Sequence, residues 1–275
     1  MAERPAPQPP TMARRAAVLG SPIAHSLSPV LHRAAYADLG LAWTYDAVEV
    51  AVPALPAFLA GMDGTWAGLS LTMPLKEAVI ALLEEVDPVA RAVRSVNTVL
   101  PSPAGWRGTN TDIYGMAQAL AEAGAPGPLP AATVLGAGAT ARSAVAALAR
   151  LGVGSVTVCA RRAEAADEVA DLARSLGMQA ATASLAPDAD LVCAPVVVST
   201  LPGAVGAPWA ELAGVASGAL LDVSYHPWPT PLAAAWGSPV VASGRGLLLW
   251  QAVEQVRLMT GRDPSAAAMA AALPD

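Results

Sequence analysis

The sequence predicts an α/β protein made of two units, and three observations carry that expectation. The stretch Ala125-Pro-Gly-Pro-Leu-Pro130 is dense in residues that break both helix and strand, so it divides the chain. Beyond it, strand-like and helical segments alternate in a βαβ pattern, which implies a parallel sheet with right-handed crossovers. Before it, a second set of strand, polar turn and helix segments forms an α/β unit of its own. The length of 275 residues suits two domains of ordinary size, and 54% hydrophobic residues exclude wholesale disorder. Much of that fraction is alanine and there is a single Phe, so tight helix packing with few aromatic anchors is expected.

The elements follow in order. Residues 1–15, MAERPAPQPPTMARR, are polar and Pro-rich and lack the apolar segment of a secretory signal; they are expected to form a flexible tail, with Met12 an alternative start. Residues 16–20 read as a buried strand, and a polar loop from Ser21 to Pro29 leads into a helix over 29–39, where Pro29 suits the first turn. A strand over 43–50 and a helix over 53–61 come next. Strand 66–71 enters the turn Thr72-Met-Pro74, and a helix is expected from there to about Glu85. Residues 96–100 and 105–108 pair as a hairpin around Pro101 to Gly105, and helix 111–124 closes the first unit, 16–124.

The second unit, 131–243, is expected to contain strand 132–135, helix 140–151, strand 155–159, helix 163–176, and short strands near 195–199, 219–223 and 239–242. Residues 244–275 form a last part, helical over 245–273 and apolar on one side.

Charge and composition exclude several classes. The net charge is -6 and no Lys/Arg run exceeds two residues, which argues against nucleic acid, whose phosphates need a clustered basic surface. No apolar run approaches the ~20 residues needed to span a membrane. Cys159 and Cys193 form no Cys-x-x-Cys, and His25, His32 and His226 lack clustered ligand spacing, so neither a metal nor a disulfide framework is expected. A cytoplasmic enzyme of small molecules, monomer or homodimer, is the expectation left.

Three motifs carry chemistry. Gly136-Ala-Gly-Ala-Thr-Ala141 lies between a strand and a helix in the Gly-x-Gly-x-x-Ala arrangement. Gly136 permits a tight turn, Gly138 keeps no side chain in the way of a pyrophosphate, and Ala141 lets helix and strand approach. The helix N-terminus offers free N–H groups to phosphates. The next strand ends in Arg161-Arg162 rather than in the Asp or Glu that would bind a ribose 2′-hydroxyl, which favours NADP over NAD because a guanidinium pairs with a 2′-phosphate. Gly68-Leu-Ser-Leu-Thr-Met-Pro-Leu-Lys76 and Gly108-Thr-Asn-Thr-Asp112 each set a charged residue beyond a strand and a polar turn.

Reduction of a ketone needs a hydride on carbon and a proton on the developing alkoxide. Lys76 can supply the proton, while Asp112 orients it and holds a substrate hydroxyl. Taken singly, Lys76 could be a surface charge, and Asp112 could cap the helix it opens. Ser26 and Ser28 stand two apart; in an extended loop both hydroxyls would face one side and could hold a carboxylate, and Ser28 could instead cap helix 29–39.

These segments together resemble the shikimate dehydrogenase family. The likeness runs from 16 to 273 through GSPIAHSLSPVLH at 20–32, GLSLTMPLK at 68–76, VNT at 96–98, GTNTDIYG at 108–115, the glycine turn, DVSYHPWPTPL at 222–232 and GRGLLLWQA at 244–252. The resemblance implies a substrate domain and a Rossmann-type NADP domain with the cleft between them, the last helices returning to the first domain. It also implies reversible reduction of 3-dehydroshikimate to shikimate by NADPH. By motif position, Ser26 and Ser28, helped by Tyr225, would hold the substrate carboxylate. Thr72, Asn97, Asp112 and Gln251 would bind ring hydroxyls, and Lys76 would be the acid/base. Gly136, Gly138, Ala139, Ala141, Arg161, Arg162 and Thr200 would hold NADP, with Gly244 near the nicotinamide.

Some positions depart from the family pattern. Ser70 stands where Asn is usual, which shortens or removes one substrate contact. Arg33 replaces an Asn, Cys159-Ala-Arg-Arg162 keeps Arg161 but loses the usual Asn, and Ser199-Thr-Leu-Pro-Gly203 stands for Asn-Ala-Thr-Pro. A quinate or aminoshikimate dehydrogenase is the enzymatic alternative; a catalytically silent NADP-binding sensor is the alternative of another class.

Overall fold

The computed structural model describes residues 13–125, 127 and 129–274. The tail over 1–12, the alternative start at Met12, and Pro126 and Pro128 of the linker lie outside the described residues.

Strands β1 (Arg15–Gly20), β2 (Thr44–Glu49), β3 (Trp66–Leu71), β4 (Glu85–Val86), β5 (Thr98–Ser102) and β6 (Gly105–Thr109) form a six-stranded mixed sheet in the order β2-β1-β3-β5-β6-β4. β1 lies parallel to both β2 and β3, while β5 and β6 form the expected antiparallel hairpin. All six residues of β3, Ser70 included, are buried, as befits a strand in the middle of a covered sheet.

Strands β7 (Ala131–Leu135), β8 (Ser155–Ala160), β9 (Gln179–Ser184), β10 (Val196–Ser199), β11 (Ala219–Asp222) and β12 (Val241–Ser243) form a second six-stranded sheet, parallel throughout. Its order, β9-β8-β7-β10-β11-β12, is the doubly wound 3-2-1-4-5-6 arrangement of Rossmann-type folds, with the switch point between β7 and β10.

Three expectations need correcting. The helix after Pro74 does not reach Glu85: it covers Leu75–Ala78, tightens to a 3-10 turn over Val79–Leu82, and gives way to β4. The Lys76 carbonyl, which would accept the bond of the next helical turn, accepts the Val96 N–H instead at 2.8 Å. Second, β9 is an additional strand: its sequence Gln-Ala-Ala-Thr-Ala-Ser is small and half-exposed at a sheet edge, so it carries little hydrophobic alternation.

Third, the C-terminal helix is broken and is not one-sided. It covers Gly244–Thr260, stops at Gly261 in the left-handed conformation (φ 69°), and resumes over Ala266–Ala271. Leu249, Ala252, Val253, Val256 and Met259 join the core of the first unit, while Leu247 and Trp250 also pack against the cluster that Ile113, Met116 and Leu120 share with the second unit. A helix filling the angle between two units needs apolar residues around more of its circumference than a surface helix does.

Two polar clasps join the same two units. Arg142, on the helix Ala139–Arg150 after the glycine turn, donates to the Val93 carbonyl at 2.7 Å and to Glu77 at 3.2 Å. Asn110 Nδ2 donates to the Ser95 carbonyl at 2.8 Å and to Ser143 Oγ at 3.1 Å. The helix that carries Arg142 and Ser143 is anchored in the apolar core of the second unit, which includes the fully buried Leu148. Leu148→Ala should lower stability by about 2–5 kcal/mol, read as a shift of the denaturant midpoint.

Candidate active site

The strands of the first sheet deliver the polar groups. β3 runs into Thr72 and Lys76, β6 runs into Asn110 to Asp112, and Asn97 immediately precedes β5. Ser26, Ser28, Thr72, Lys76, Asn97, Asp112, Tyr225, Gly244 and Gln251 all line one cleft, together with Ser70 and Gln255.

Lys76 Nζ donates to Asp112 Oδ2 at 2.7 Å, and Asn97 Nδ2 donates to Asp112 Oδ1 at 2.8 Å. Asp112 is buried and Lys76 only slightly exposed, so the pair is shielded from bulk water. Asp112 is not the helix cap: its carboxylate is taken up by Lys76 and Asn97, while its own N–H donates to Asn110 Oδ1 at 2.9 Å. Asn97 is itself held from the other side, its Oδ1 accepting the Thr111 N–H and the Thr98 hydroxyl, each at 2.8 Å.

The serine pair reaches the cleft by a route different from the one expected. Leu27 has helical rather than extended torsions, and the helix Ser28–Asp38 begins at Ser28 with no side-chain cap. Ser26 Oγ accepts the Ser28 N–H at 3.3 Å, so a bend, not strand alternation, brings both hydroxyls together. Arg33 lies away from the cleft; it donates to the Tyr45 carbonyl and to Asp46, both at 2.9 Å.

A second concavity opens at the C-terminal ends of the parallel strands. Gly136, Gly138, Arg161, Arg162 and Thr200 line it. Gly136 has φ 109°, and an added Cβ there would collide with the Thr200 hydroxyl; at Gly138 an added Cβ would meet nothing within 4 Å. The first glycine therefore serves the fold, and the second leaves open space at the N-cap of the following helix, whose first residue is Ala139. Ala141 does not line this concavity: it is wholly buried and packs the helix onto the sheet. Arg161 and Arg162 are exposed, and among the described residues neither has an ion-pair partner. An open backbone cradle flanked by two free guanidinium groups fits a dinucleotide with an extra phosphate.

Sheet register connects the two concavities. Cys159, Leu135, Ser199, Asp222 and Ser243 lie on one rung, so Gly136, Thr200, Val223 and Gly244 leave the sheet side by side, in line with Ala160, the last residue of β8. Gly244 is required by packing: a Cβ there would strike the Val223 carbonyl. Buried Asp222 shapes the following loop by accepting the Thr230 hydroxyl at 2.6 Å and the Ser224 N–H at 3.1 Å, and the loop carries Tyr225 into the cleft.

Sequence reasoning missed Gln255, although it lies one helical turn beyond Gln251 and therefore on the same face. It also missed the buried residues behind the cleft. Tyr45 donates to Ser70 Oγ at 2.6 Å, and Ser70 donates to Gln255 Oε1 at 2.7 Å. His32 stacks on Tyr45 with ring centroids 3.9 Å apart, and its Nε2 lies 3.1 Å from Gln255 Oε1.

An open glycine cradle flanked by arginines, joined in register to a cleft holding a lysine–carboxylate pair, defines a class: two-unit α/β oxidoreductases that use a nicotinamide dinucleotide. Comparison narrows the class. The family model of the shikimate dehydrogenase substrate binding domain matches residues 18–99, and that of the shikimate 5'-dehydrogenase C-terminal domain matches 244–273. A shikimate dehydrogenase (NADP(+)) of Anaeromyxobacter is 38% identical, over 93% of this chain and 94% of its own length. The crystal structure of Mycobacterium tuberculosis shikimate dehydrogenase superposes with a TM-score of 0.87 at 44% identity, covering 94% of this chain and 98% of that one. That of the Thermus thermophilus shikimate 5-dehydrogenase in complex with NADP(H) and shikimate gives 0.79 at 32%, covering 94% and 98%. The chain belongs to the shikimate dehydrogenase family.

Burial pushes the His32 pKa from the usual 6.5 down to about 3. Between those values the unfolded chain binds the proton and the folded chain does not. The stability contributed by neutral His32 is thus complete above about 6.5 and is lost as pH falls toward 3. Unfolding free energies from urea titrations across this window should fall more steeply with decreasing pH in the wild type than in His32→Gln, by up to about 1.4 kcal/mol per pH unit.

Proposed function

We propose that this chain catalyses the reversible, NADP-dependent reduction of 3-dehydroshikimate to shikimate, a step in making chorismate and the aromatic amino acids. The observation that carries the reading is the shielded 2.7 Å Lys76–Asp112 pair in a cleft joined in register to the glycine cradle. NADPH, when bound, supplies the hydride; the remaining chemistry is positioning and proton transfer.

In this reading the chain divides into a substrate half over 16–124 and an NADP half over 131–243, with 244–275 returning to the substrate half. Lys76 delivers a proton to the alkoxide oxygen as the carbonyl is reduced, and recovers it in the reverse direction. Asp112 fixes the ammonium and, with Thr72, Asn97 and Gln251, orients the ring through its hydroxyls. Ser26, Ser28 and Tyr225 hold the carboxylate. Such positioning matters because productive reaction needs the reacting atoms held in close, aligned contact. On the cofactor side, the backbone at Gly136, Gly138 and Ala139 cradles the pyrophosphate beside Thr200, and Arg161 and Arg162 take the 2′-phosphate. Gly244 leaves room for the nicotinamide end, and Ala141 acts through packing.

The test is nicotinamide absorbance with purified protein, crossing shikimate and quinate against NADP and NAD. Turnover with shikimate and NADP is expected; turnover mainly with quinate or NAD would overturn the specificity. Lys76→Ala should lower kcat by roughly 10²–10⁴-fold with a modest change in KM, and unchanged turnover would refute the acid/base assignment. Arg161→Ala should weaken NADPH binding far more than NADH binding in a calorimetric titration, whereas equal losses would refute the phosphate assignment.

A further inference from the structure

The direction of every hydrogen bond around Gln255 follows from one fixed point. The Asn97 main-chain oxygen can only accept, so the Gln255 atom 3.2 Å from it is the amide nitrogen. Thr98 gives its proton to Asn97 Oδ1 at 2.8 Å, and so accepts the second Gln255 N–H at 3.0 Å. The other end of the carboxamide is then an oxygen with no proton to offer. It receives the Ser70 hydroxyl at 2.7 Å and His32 Nε2 at 3.1 Å. His32 is neutral in its buried setting, so its one ring proton sits on Nε2, and Nδ1 is left to face the Tyr36 hydroxyl at 3.5 Å.

Ser70 therefore has no proton for the cleft. One of its lone pairs takes the Tyr45 hydroxyl at 2.6 Å, the other has no partner among the described residues, and Ser70 lines the cleft. The same carboxamide bears on the reacting groups, because Thr98 and the Asn97 backbone hold the residue that holds Asp112.

We propose that Gln255 is a positioning residue that orders these protons, so that Ser70 meets the substrate only as an acceptor and selects a hydroxyl donor at that point of the ring. The proposal deepens the functional reading above and rests on it for the identity of the ring. It predicts a particular selectivity: a substituent that accepts but cannot donate, such as fluorine, should not replace that hydroxyl.

The test uses Gln255→Met, Ser70→Ala and the double variant. For each, kcat and KM are measured for shikimate and for analogues in which one non-reacting ring hydroxyl at a time is replaced by fluorine. For one of these positions the wild type should disfavour the fluoro analogue about tenfold, the scale of one lost hydrogen bond. Gln255→Met frees the Ser70 proton and should cut that discrimination to about twofold. Ser70→Ala should likewise cut it to about twofold or less, and the double variant should go no further. If Gln255→Met slows every substrate alike and keeps the wild-type discrimination, or if the wild type shows none, the proposal is overturned.

A second readout needs no turnover. Nitrogen-15 spectra of the His32 ring in the wild type should show a neutral imidazole protonated on Nε2, and protonation on Nδ1 would overturn the ordering. This readout and Ser70→Ala remain decisive if Gln255→Met fails to fold. Inactivity on shikimate with every cofactor would sink the functional reading, while the ring spectrum would still test the proton order on its own.

Discussion

Asn97 sits where the hairpin of the first sheet, the helix opened by Asp112 and the long C-terminal helix converge. Its carboxamide donates to Asp112 and accepts from Thr98 and the Thr111 backbone, while its main-chain oxygen accepts from Gln255. A buried amide loses much if any of these partners is missing, because an unsatisfied polar group in a low dielectric is costly. The network therefore behaves as a unit. Lys76 is held by Asp112, Asp112 by Asn97, and Asn97 by two helices that come from distant parts of the chain. The cleft is preorganised because its geometry is also a condition of burying these groups at all.

The same logic explains why the C-terminal helix belongs to the site. It brings Gln251 and Gln255 to the cleft wall, while its apolar residues fill the angle between the two sheets. At its start, Gly244 allows the chain to leave β12 hard against the Val223 carbonyl. Core packing and the lining of the cleft fall to successive turns of one helix, so a change that tilts the helix would reach both together.

What could be read from the sequence was set by how local the causes are. The glycine turn, Lys76 and Asp112 each follow a strand within a few residues, and strand, turn and helix signals are short-range. The edge strand β9 was illegible because its residues are small and half-exposed, leaving no hydrophobic alternation to detect. The early end of the helix after Pro74 was illegible because its cause, the Val96 N–H on the Lys76 carbonyl, comes from 20 residues away. The serine pair was placed in the cleft, yet for the wrong reason, since the bend at Leu27 depends on torsions that the residue types do not dictate. Gln255 is the deepest case: a glutamine on an apolar helix looks like a minor exception until four partners from three other segments surround it.

The shared rung at the end of the parallel sheet has a metrical consequence. Neighbouring strands in a sheet are held about 4.8 Å apart by their hydrogen bonds. From the end of β8, next to Arg161, to the end of β12, next to Gly244, there are four such intervals, roughly 19 Å. That separation is counted in strands and not in residues of connecting chain. Insertions and deletions in the crossovers can accumulate without stretching it, whereas loss of a single strand would change it in one discrete step. The sheet edge is in this sense a ruler with a fixed graduation, and the distance between the arginine-marked end and the mouth of the substrate cleft is quantised by backbone pairing alone.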